Sequence, residues 1–470
     1  MSSMSTKSPK RPSVRPPRPW SFPTPQIGGL DNGLRTLVYH LPGQHVISCR
    51  LAVPLPLTSE PRELEGIGTI MARTLDEGTA SLTREEMAEL LERRGVALGA
   101  GVGERGLVVE LDVPRRRFAD ALDLLRQALA EPAFGEAEVR RHVRARLTDI
   151  DQEYASPGQR AAIEFISTYY PSDSRLSRPT GGSTATVAAI TPADLHRYHA
   201  RHVGPSGATL VVSGDLTELD IDAELERGLG GWRDAPERVD IGAYTTADRA
   251  ADATGIVIVD RPGAVQSELY LGAPGPSRQV PGGWAPYPVL SFLVGGAPQA
   301  RLDAVLREEK GYTYGMRSAF RPRVGSGLFV TSGSVRADTT VEALGDALDI
   351  LTTARDGFTA TETRSGIDFL SQTAPGRYAT ADAVADEAVA RALEGLGTDH
   401  TSRTLREMRD LTPKALRRAY RAFVGPDDDQ WTVIVVGEAK ALTKPLAKLA
   451  KKRGMGAVRV VDAAPQLPPG

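Results

Sequence analysis

The sequence predicts an α+β protein built from one domain repeated in tandem, each copy a mostly antiparallel sheet layered with helices. Three observations lead there. The segment Ile190-Thr-Pro-Ala-Asp-Leu-His-Arg-Tyr-His-Ala-Arg-His-Val-Gly-Pro205 matches Leu411-Thr-Pro-Lys-Ala-Leu-Arg-Arg-Ala-Tyr-Arg-Ala-Phe-Val-Gly-Pro426, and each copy runs into a strand-like stretch ending in glycine, Thr209–Gly214 and Trp431–Gly437. At nearly the same separation, Asp120–Leu125 matches Asp346–Leu351 and Phe134–Glu138 matches Phe358–Glu362. One pair of long duplicates means two homologous domains, because solenoid repeats are roughly 20–50 residues. Second, hairpin-like strands mix with long helices in each copy, which opposes a doubly wound sheet. Third, a Pro/Gly/Asp-rich stretch separates the copies. The expected organisation is a disordered basic, Pro-rich tail over 1–27, a first domain over 28–232, a linker over 233–254, a second domain over 255–456 and a tail over 457–470.

The elements follow in order. Arg35–Tyr39 and Ile47–Val53 carry β-branched and apolar residues between Pro/Gly punctuation and read as strands. Glu65–Asp76 places Ile67, Ile70, Met71 and Leu75 at helical spacing and closes on Gly78. Arg84–Arg94 is a second helix, with Ser81 and Thr83 as cap candidates. Leu107–Val113 reads as a strand, and Phe118–Ala130 and Glu136–Asp149 as helices. The second copy runs Ile256–Asp260, Glu268–Ala273, Trp284–Val294, Ala300–Glu309, a strand over Tyr312–Phe320, Leu328–Val335, Val341–Ala354 and Pro413–Phe423. The Lys-rich stretch Lys440–Arg453 reads as the solvated face of a helix.

Composition excludes several classes of function. The 470 residues are 41% hydrophobic and 25% charged, ample for well-buried cores, and a net charge of −2 provides no global field for nucleic acid or anionic membrane. A single cysteine, Cys49, rules out an intramolecular disulfide framework and any cysteine-rich zinc module. No apolar run reaches the roughly 18 residues of a membrane span, and the basic N-terminal stretch is followed by no apolar signal segment. The expectation is a soluble, cytoplasmic protein.

Two motifs reduce to structure. Gly101-Val-Gly103-Glu-Arg-Gly106 fits G-x-G-x-x-G, but a helix precedes it and a strand follows, the reverse of a dinucleotide site, so it reads as a turn. His196, His199 and His202 share one predicted helix at three-residue steps that drift around it, and Arg417, Tyr420 and Phe423 replace them in the second copy. That argues for a structural or surface role rather than a metal site.

The most specific stretch is Gly295-Gly296-Ala-Pro-Gln-Ala-Arg301-Leu-Asp-Ala-Val-Leu-Arg307-Glu-Glu-Lys-Gly311-Tyr-Thr-Tyr314. Two glycines allow a sharp turn into a helix, and Gly311 ends that helix before a strand. Arg307 and Tyr314 flank the resulting corner. They fit either of two readings: a guanidinium and a phenol donating to a peptide carbonyl in one cleft, or a helix-end arginine beside a half-buried strand tyrosine.

This stretch resembles the Gly-Gly…Ser-Arg-Leu…Arg-Glu…Gly-Leu-x-Tyr signature of the pitrilysin/insulinase peptidases, which include mitochondrial processing peptidase. The resemblance covers about residues 30–440, including Asn32–Arg35, Pro132–Glu138, Gln266–Pro274 and both strands ending in Gly214 and Gly437. It implies two homologous α+β domains forming half of a clamshell around a peptide-binding chamber. The family's catalytic motif, H-x-x-E-H on a helix, binds zinc through two histidines while the glutamate activates water. Here the frame is Gly66-Ile-Gly-Thr69-Ile-Met-Ala72-Arg73-Thr-Leu-Asp-Glu-Gly78-Thr79. Aligned on Gly66 and Gly78, Thr69 and Arg73 take the histidine positions, Ala72 the glutamate, and Asp149 falls at about the third ligand. These are degenerate metal-site positions: arginine repels a cation and alanine is no base.

The resemblance therefore implies a chain that is inactive alone and carries no cofactor, like the non-catalytic subunit of a heterodimeric metalloendopeptidase. Its partner would be a homologous subunit bearing H-x-x-E-H and the zinc, and Arg307 and Tyr314 would bind the peptide substrate opposite that zinc. The alternative is a structural or peptide-binding homodimer with no catalytic role.

Overall fold

The computed structural model describes residues 19–236, 248–323 and 325–462. Two six-stranded sheets are built from β1 (Gln26–Gly29), β2 (Arg35–His40), β3 (Val46–Pro54), β4 (Ala97–Val102), β5 (Gly106–Pro114) and β6 (Thr209–Gly214), and from β7 (Gly255–Asp260), β8 (Gln266–Gly275), β9 (Arg317–Arg321), β10 (Gly327–Arg336), β11 (Thr432–Gly437) and β12 (Val458–Asp462). Their orders, β1-β2-β6-β3-β5-β4 and β12-β7-β11-β8-β10-β9, superpose element on element. In each sheet the three pairs around β3 or β8 and the far edge are antiparallel, and β2·β6 and β7·β11 are parallel. The duplication read from the sequence is thus a duplication of topology.

The near edges differ. β1 comes from the start of the first half and runs antiparallel to β2, whereas β12 comes from the end of the second half and runs parallel to β7. Two expected boundaries move as a result. Residues 19–27 are not tail: Trp20 stacks on Tyr378 at 5.7 Å, Phe22 packs edge-on to Tyr39, and β1 has begun by Gln26. Likewise 458–462 is a strand rather than tail. Positions 1–18, 237–247 and 463–470 of the expected tails and linker lie outside the described residues. At the linker's far end, the Ala250 N–H donates to the Tyr169 carbonyl at 2.8 Å.

Helices cover each sheet twice over, which explains the unbroken apolar runs in β6 and β11, buried at every residue. One face of each sheet packs on helices of its own half: Ile47, Leu51, Leu111 and Val212 against Ile70, Leu122 and Leu195, and Ile256, Leu271 and Val435 against Leu290, Leu348 and Leu446. The other faces are covered by exchange. Helix Pro157–Tyr169 of the first half lays Ala161 and Phe165 on Val257, Tyr270 and Ile434 of the second sheet. Helix Ala381–Leu393 of the second half lays Val384, Ala388 and Val389 on Leu37, Tyr39 and Val211 of the first. Arg50, buried on β3, meets this second helix through Asp386 at 2.7 Å and its own sheet through Asp112 at 3.1 Å.

Each half inserts two helices between its central strand, β3 or β8, and its far-edge strand, β4 or β9. In the first half they are Ile67–Thr74 and Arg84–Arg94; in the second, Pro286–Ser291 continues into a π-helical turn, Phe292–Gly296, and Arg301–Asp303 into another, Ala304–Glu309. The segment Tyr312–Phe320, expected as strand, becomes one only at Arg317. Gly311 at φ 63° and the hydrogen bond from Thr313 Oγ1 to the Ser334 carbonyl at 2.6 Å hold Tyr312–Met316 as an irregular connection.

Candidate functional site

In the first half, helix Ile67–Thr74 is framed by two glycines whose geometry needs glycine. Gly66 has φ 98°, and a Cβ there would lie 2.7 Å from the Gly181 carbonyl oxygen; Gly78 has φ 111°. Between them Ala72 is buried, Thr69 half-buried and Arg73 half-exposed. The Arg73 guanidinium crosses to helix Glu136–Ala155 and pairs with Asp149, Nη1 to Oδ2 at 2.8 Å. Of the four positions aligned to the zinc motif, Thr69, Ala72 and Arg73 thus share one helix, and Arg73 meets the fourth, Asp149, as an ion pair. The donor set does not fit zinc: a hydroxyl, a methyl group and a guanidinium stand where two imidazoles and a carboxylate would be needed, and the remaining carboxylate is engaged by Arg73. Among the described residues no group of three or more His, Cys, Asp or Glu side chains converges on a metal-sized site.

One turn further on, Glu77 gathers three basic groups that sequence reasoning did not single out. It accepts from Arg84 at 2.8 Å and from Arg141, and His142 Nε2 lies 3.1 Å from its second oxygen. Burial pushes the Glu77 carboxyl up, but Arg141 and His142 outweigh it and hold the group below the usual carboxylate range. The run Arg140-Arg141-His142 on a helix otherwise rich in acids was the available signal. Together with Arg73–Asp149, these contacts tie the first helix of the pair to Glu136–Ala155.

On helix Pro192–His202, His199 and His202 are buried and His196 is exposed, in line with the structural or surface role expected of them. His199 is buried, bonds the Leu129 carbonyl through Nε2 at 3.0 Å, and packs edge-on to Phe134, with burial pushing its imidazole down to about 4. Gly103–Gly106 is the turn between β4 and β5, closed by the Gly103 N–H on the Gly106 carbonyl at 2.9 Å.

In the second half Arg307 and Tyr314 line one groove. Arg307 stands on the π-helical turn Ala304–Glu309, its side chain 42% exposed and 3.4 Å from Glu308. Tyr314 is 90% exposed, so it is not the half-buried strand tyrosine of the structural reading. The connection between them is pinned at each residue but the last: the Tyr312 N–H donates to the Leu306 carbonyl at 2.8 Å, the Arg336 N–H to the Tyr312 carbonyl at 3.0 Å, and Thr313 bridges to Val335. The groove, about 530 Å³, is completed by Val265 and Gln266 at the start of β8 and by Ser334 and Arg336 at the end of β10. Val265 is 85% exposed, so an apolar residue and a phenol flank two guanidinium groups in open solvent. Such a surface can hold an extended chain and donate several charge-assisted hydrogen bonds to its carbonyls.

Arg301, the other arginine of the signature, does something different. It donates to the Glu362 carboxylate at 3.0 Å and to the Gly357 carbonyl at 2.9 Å, and stacks over Phe358 at 4.4 Å. It fastens the helix pair to the repeated Phe358–Glu362 element and leaves the groove to Arg307.

Comparison with known proteins places both halves in one family. Residues 35–183 match the family Insulinase (Peptidase family M16), and residues 189–368 match the Peptidase M16 inactive domain. The chain is similar to an uncharacterized zinc protease of Mycobacterium leprae, 25% identical over 349 residues that cover 71% of this chain and 75% of the relative. It is also similar to a non-peptidase homolog of Helicobacter pylori, 22% identical over 53% of this chain and 56% of that one. A crystal structure of a peptidase M16 inactive domain from Pseudomonas fluorescens superposes with a TM-score of 0.79 at 20% identity, covering 88% of this chain and 98% of the other. No helix among the described residues is long and apolar enough to cross a membrane.

Proposed function

Because both halves match it, the chain belongs to peptidase family M16, and within that family we propose that it is the non-catalytic, substrate-binding subunit of a zinc-dependent heterodimeric endopeptidase. The observation that carries this reading is the contrast between its two sites. Arg73, locked to Asp149, stands where the metal would be held, while Arg307 and Tyr314 stay open to solvent over a peptide-sized groove.

On this reading a homologous partner with an intact H-x-x-E-H supplies the zinc, and this chain supplies hydrogen-bond donors. The Arg307 guanidinium holds a carbonyl of the extended peptide. The Tyr314 phenol donates to the oxygen that gains negative charge when the scissile carbonyl becomes tetrahedral. Both donors gain strength once a closed chamber excludes water, and removal of one such donor typically costs about 10²–10³ in kcat.

The test is to mix this protein with a family member carrying H-x-x-E-H and follow cleavage of an unfolded peptide. Stimulation by the wild-type chain, lost in the Arg307→Ala/Tyr314→Phe double variant, is the expected result. No stimulation, or full stimulation by the double variant, overturns the reading. A stable homodimer that never exchanges with such a partner would favour the structural or peptide-binding alternative.

A further inference from the structure

A second cavity lies at the opposite end of the same strands. The groove sits at the Gln266 and Arg336 ends of β8 and β10; the cavity opens beyond Gly275 and Gly327, roughly 30 Å away at about 3.3 Å per strand residue. It measures about 460 Å³ and forms where three connections meet: the β4–β5 turn with Arg105, the loop after β8 with Arg278, and the β9–β10 turn with Arg323. The first belongs to one half of the molecule and the other two to its repeat.

Basic side chains predominate in the lining. Arg105, Arg278 and Arg323 line the cavity with one carboxylate, Glu394, while Glu104 and Glu387 stand behind the wall, paired with Arg323 and Arg391. Glu394 is shared: its Oε2 lies 2.7 Å from Arg278 Nε and 2.6 Å from Nη1 of Arg391, a fourth arginine just behind the wall. Burial, then repulsion from Arg391, lowers the affinity of Arg278 for its proton, with Glu394 and Glu387 opposing. Arg323 is held in place by Glu104 at 2.6 Å and the Tyr170 hydroxyl at 2.7 Å, over whose ring it stacks. Arg105 makes no ion pair or side-chain hydrogen bond among the described residues. Ser277 and Gln279 add polar groups, and Arg278 is oriented by Trp284, 5.0 Å from its ring.

We propose that this junction is a binding site for a small multivalent oxyanion, a phosphate chain or a polycarboxylate, held by Arg105, Arg278 and Arg323. Guanidinium groups match carboxylate and phosphate oxygens two at a time, and a cavity of this volume is at the small-molecule end of the ligand-site range. The ligand joins the two halves, because its arginines come from both. The proposal is independent of the peptidase reading and is tested on the isolated chain.

Calorimetry and thermal unfolding of the full protein with tripolyphosphate in one arm and citrate in the other, against sodium chloride at matched ionic strength, decide it. Saturable one-to-one binding in either arm with a raised Tm is expected, and the arm that binds identifies phosphate or carboxylate as the preferred chemistry. Arg105→Glu, at a side chain without a partner among the described residues, should fold normally and bind at least tenfold more weakly. Arg140→Glu, on an exposed face elsewhere, should bind as wild type. No saturable binding at millimolar anion, or equal weakening by both variants, overturns the proposal.

Discussion

The two halves share one strand order, yet they carry their chemistry on different helices of the pair inserted before the far-edge strand, β4 or β9. In the first half it is the leading helix, Ile67–Thr74, that bears Thr69, Ala72 and Arg73, and an ion pair to Asp149 closes the place. In the second half the leading helix is apolar and buried, and the following segment, Arg301–Glu309, presents Arg307 and hands on to Tyr314 in the open. Both second-half helices contain π-helical turns; their first-half counterparts are regular, and Arg84–Arg94 has a complete capping box from Thr83 and Glu86. Turns of that rare kind concentrate at functional sites. The duplication kept the sheet and let the helix pair diverge, so each half contributes a different kind of surface.

The strongest way to break the comparison is to attack the exchanged helices on which both halves depend. Phe165 is fully buried against the second sheet, and a Cβ on Gly272 would lie 2.2 Å from its ring. Phe165→Ala should cost about 3–5 kcal/mol, and Val389→Ala on the reciprocal helix about 1–3 kcal/mol, both read from urea denaturation. Each should lower one shared transition; two separated transitions would mean the halves are stable singly.

Next comes pH, because each half holds a histidine, His199 or His400, whose imidazole burial pushes down. Burial lowers both imidazoles to about 4, opposed at His199 by the Leu129 carbonyl and reinforced at His400 by Arg391 and Arg278. The unfolded chain takes up a proton near 6.5 and the folded chain only near 4, so stability is full above pH 6.5 and falls as the pH drops between these values. For His199 the loss reaches about 3 kcal/mol. His199→Asn should flatten the first-half share of that slope and leave the His400 share, measured as denaturation midpoint against pH. An unchanged slope in this variant would mean that His199 is charged in the fold.

Smaller effects sharpen the contrast of the sites themselves. Thr359 caps the helix that holds Glu362 against Arg301, and Thr359→Ala should cost about 1 kcal/mol and loosen the second-half helix pair. Arg73→Ala should cost at most about 1 kcal/mol, since both members of its ion pair are more than a third exposed. A much larger loss on Arg73→Ala would show that the ion pair is an essential strut of the first half.

The repeat made the paired domains legible, because strand-and-helix periodicity and the Gly-Pro elements are local in the chain. Arg307 and Tyr314 were legible as a pair because the corner at Gly311 is written in consecutive residues. What escaped was non-local. Nothing in Pro157–Tyr169 says that its apolar side belongs to the sheet of the other half, and nothing in Trp20 or Phe22 says that they pack on Tyr378. The edge strands β1 and β12 are short, and β1 is exposed throughout, so they lack the buried-strand pattern that marks β6 or β11. Arg73 and Asp149 were each placed by alignment to ligand positions; that they neutralise one another is a property of two helices brought side by side.

The exchange of helices also sets a timetable for the chain as it is made. When Gly214 completes the first sheet on the ribosome, the side bearing Leu37, Tyr39 and Val211 lacks its covering helix until Leu393 has been synthesised, roughly 10 to 35 s later at about 5–20 residues per second. For that interval the nascent protein shows an apolar sheet to its surroundings, and a holding chaperone or a rapid closing step must bridge the gap. A protein whose halves complete each other is also one whose first half has to wait.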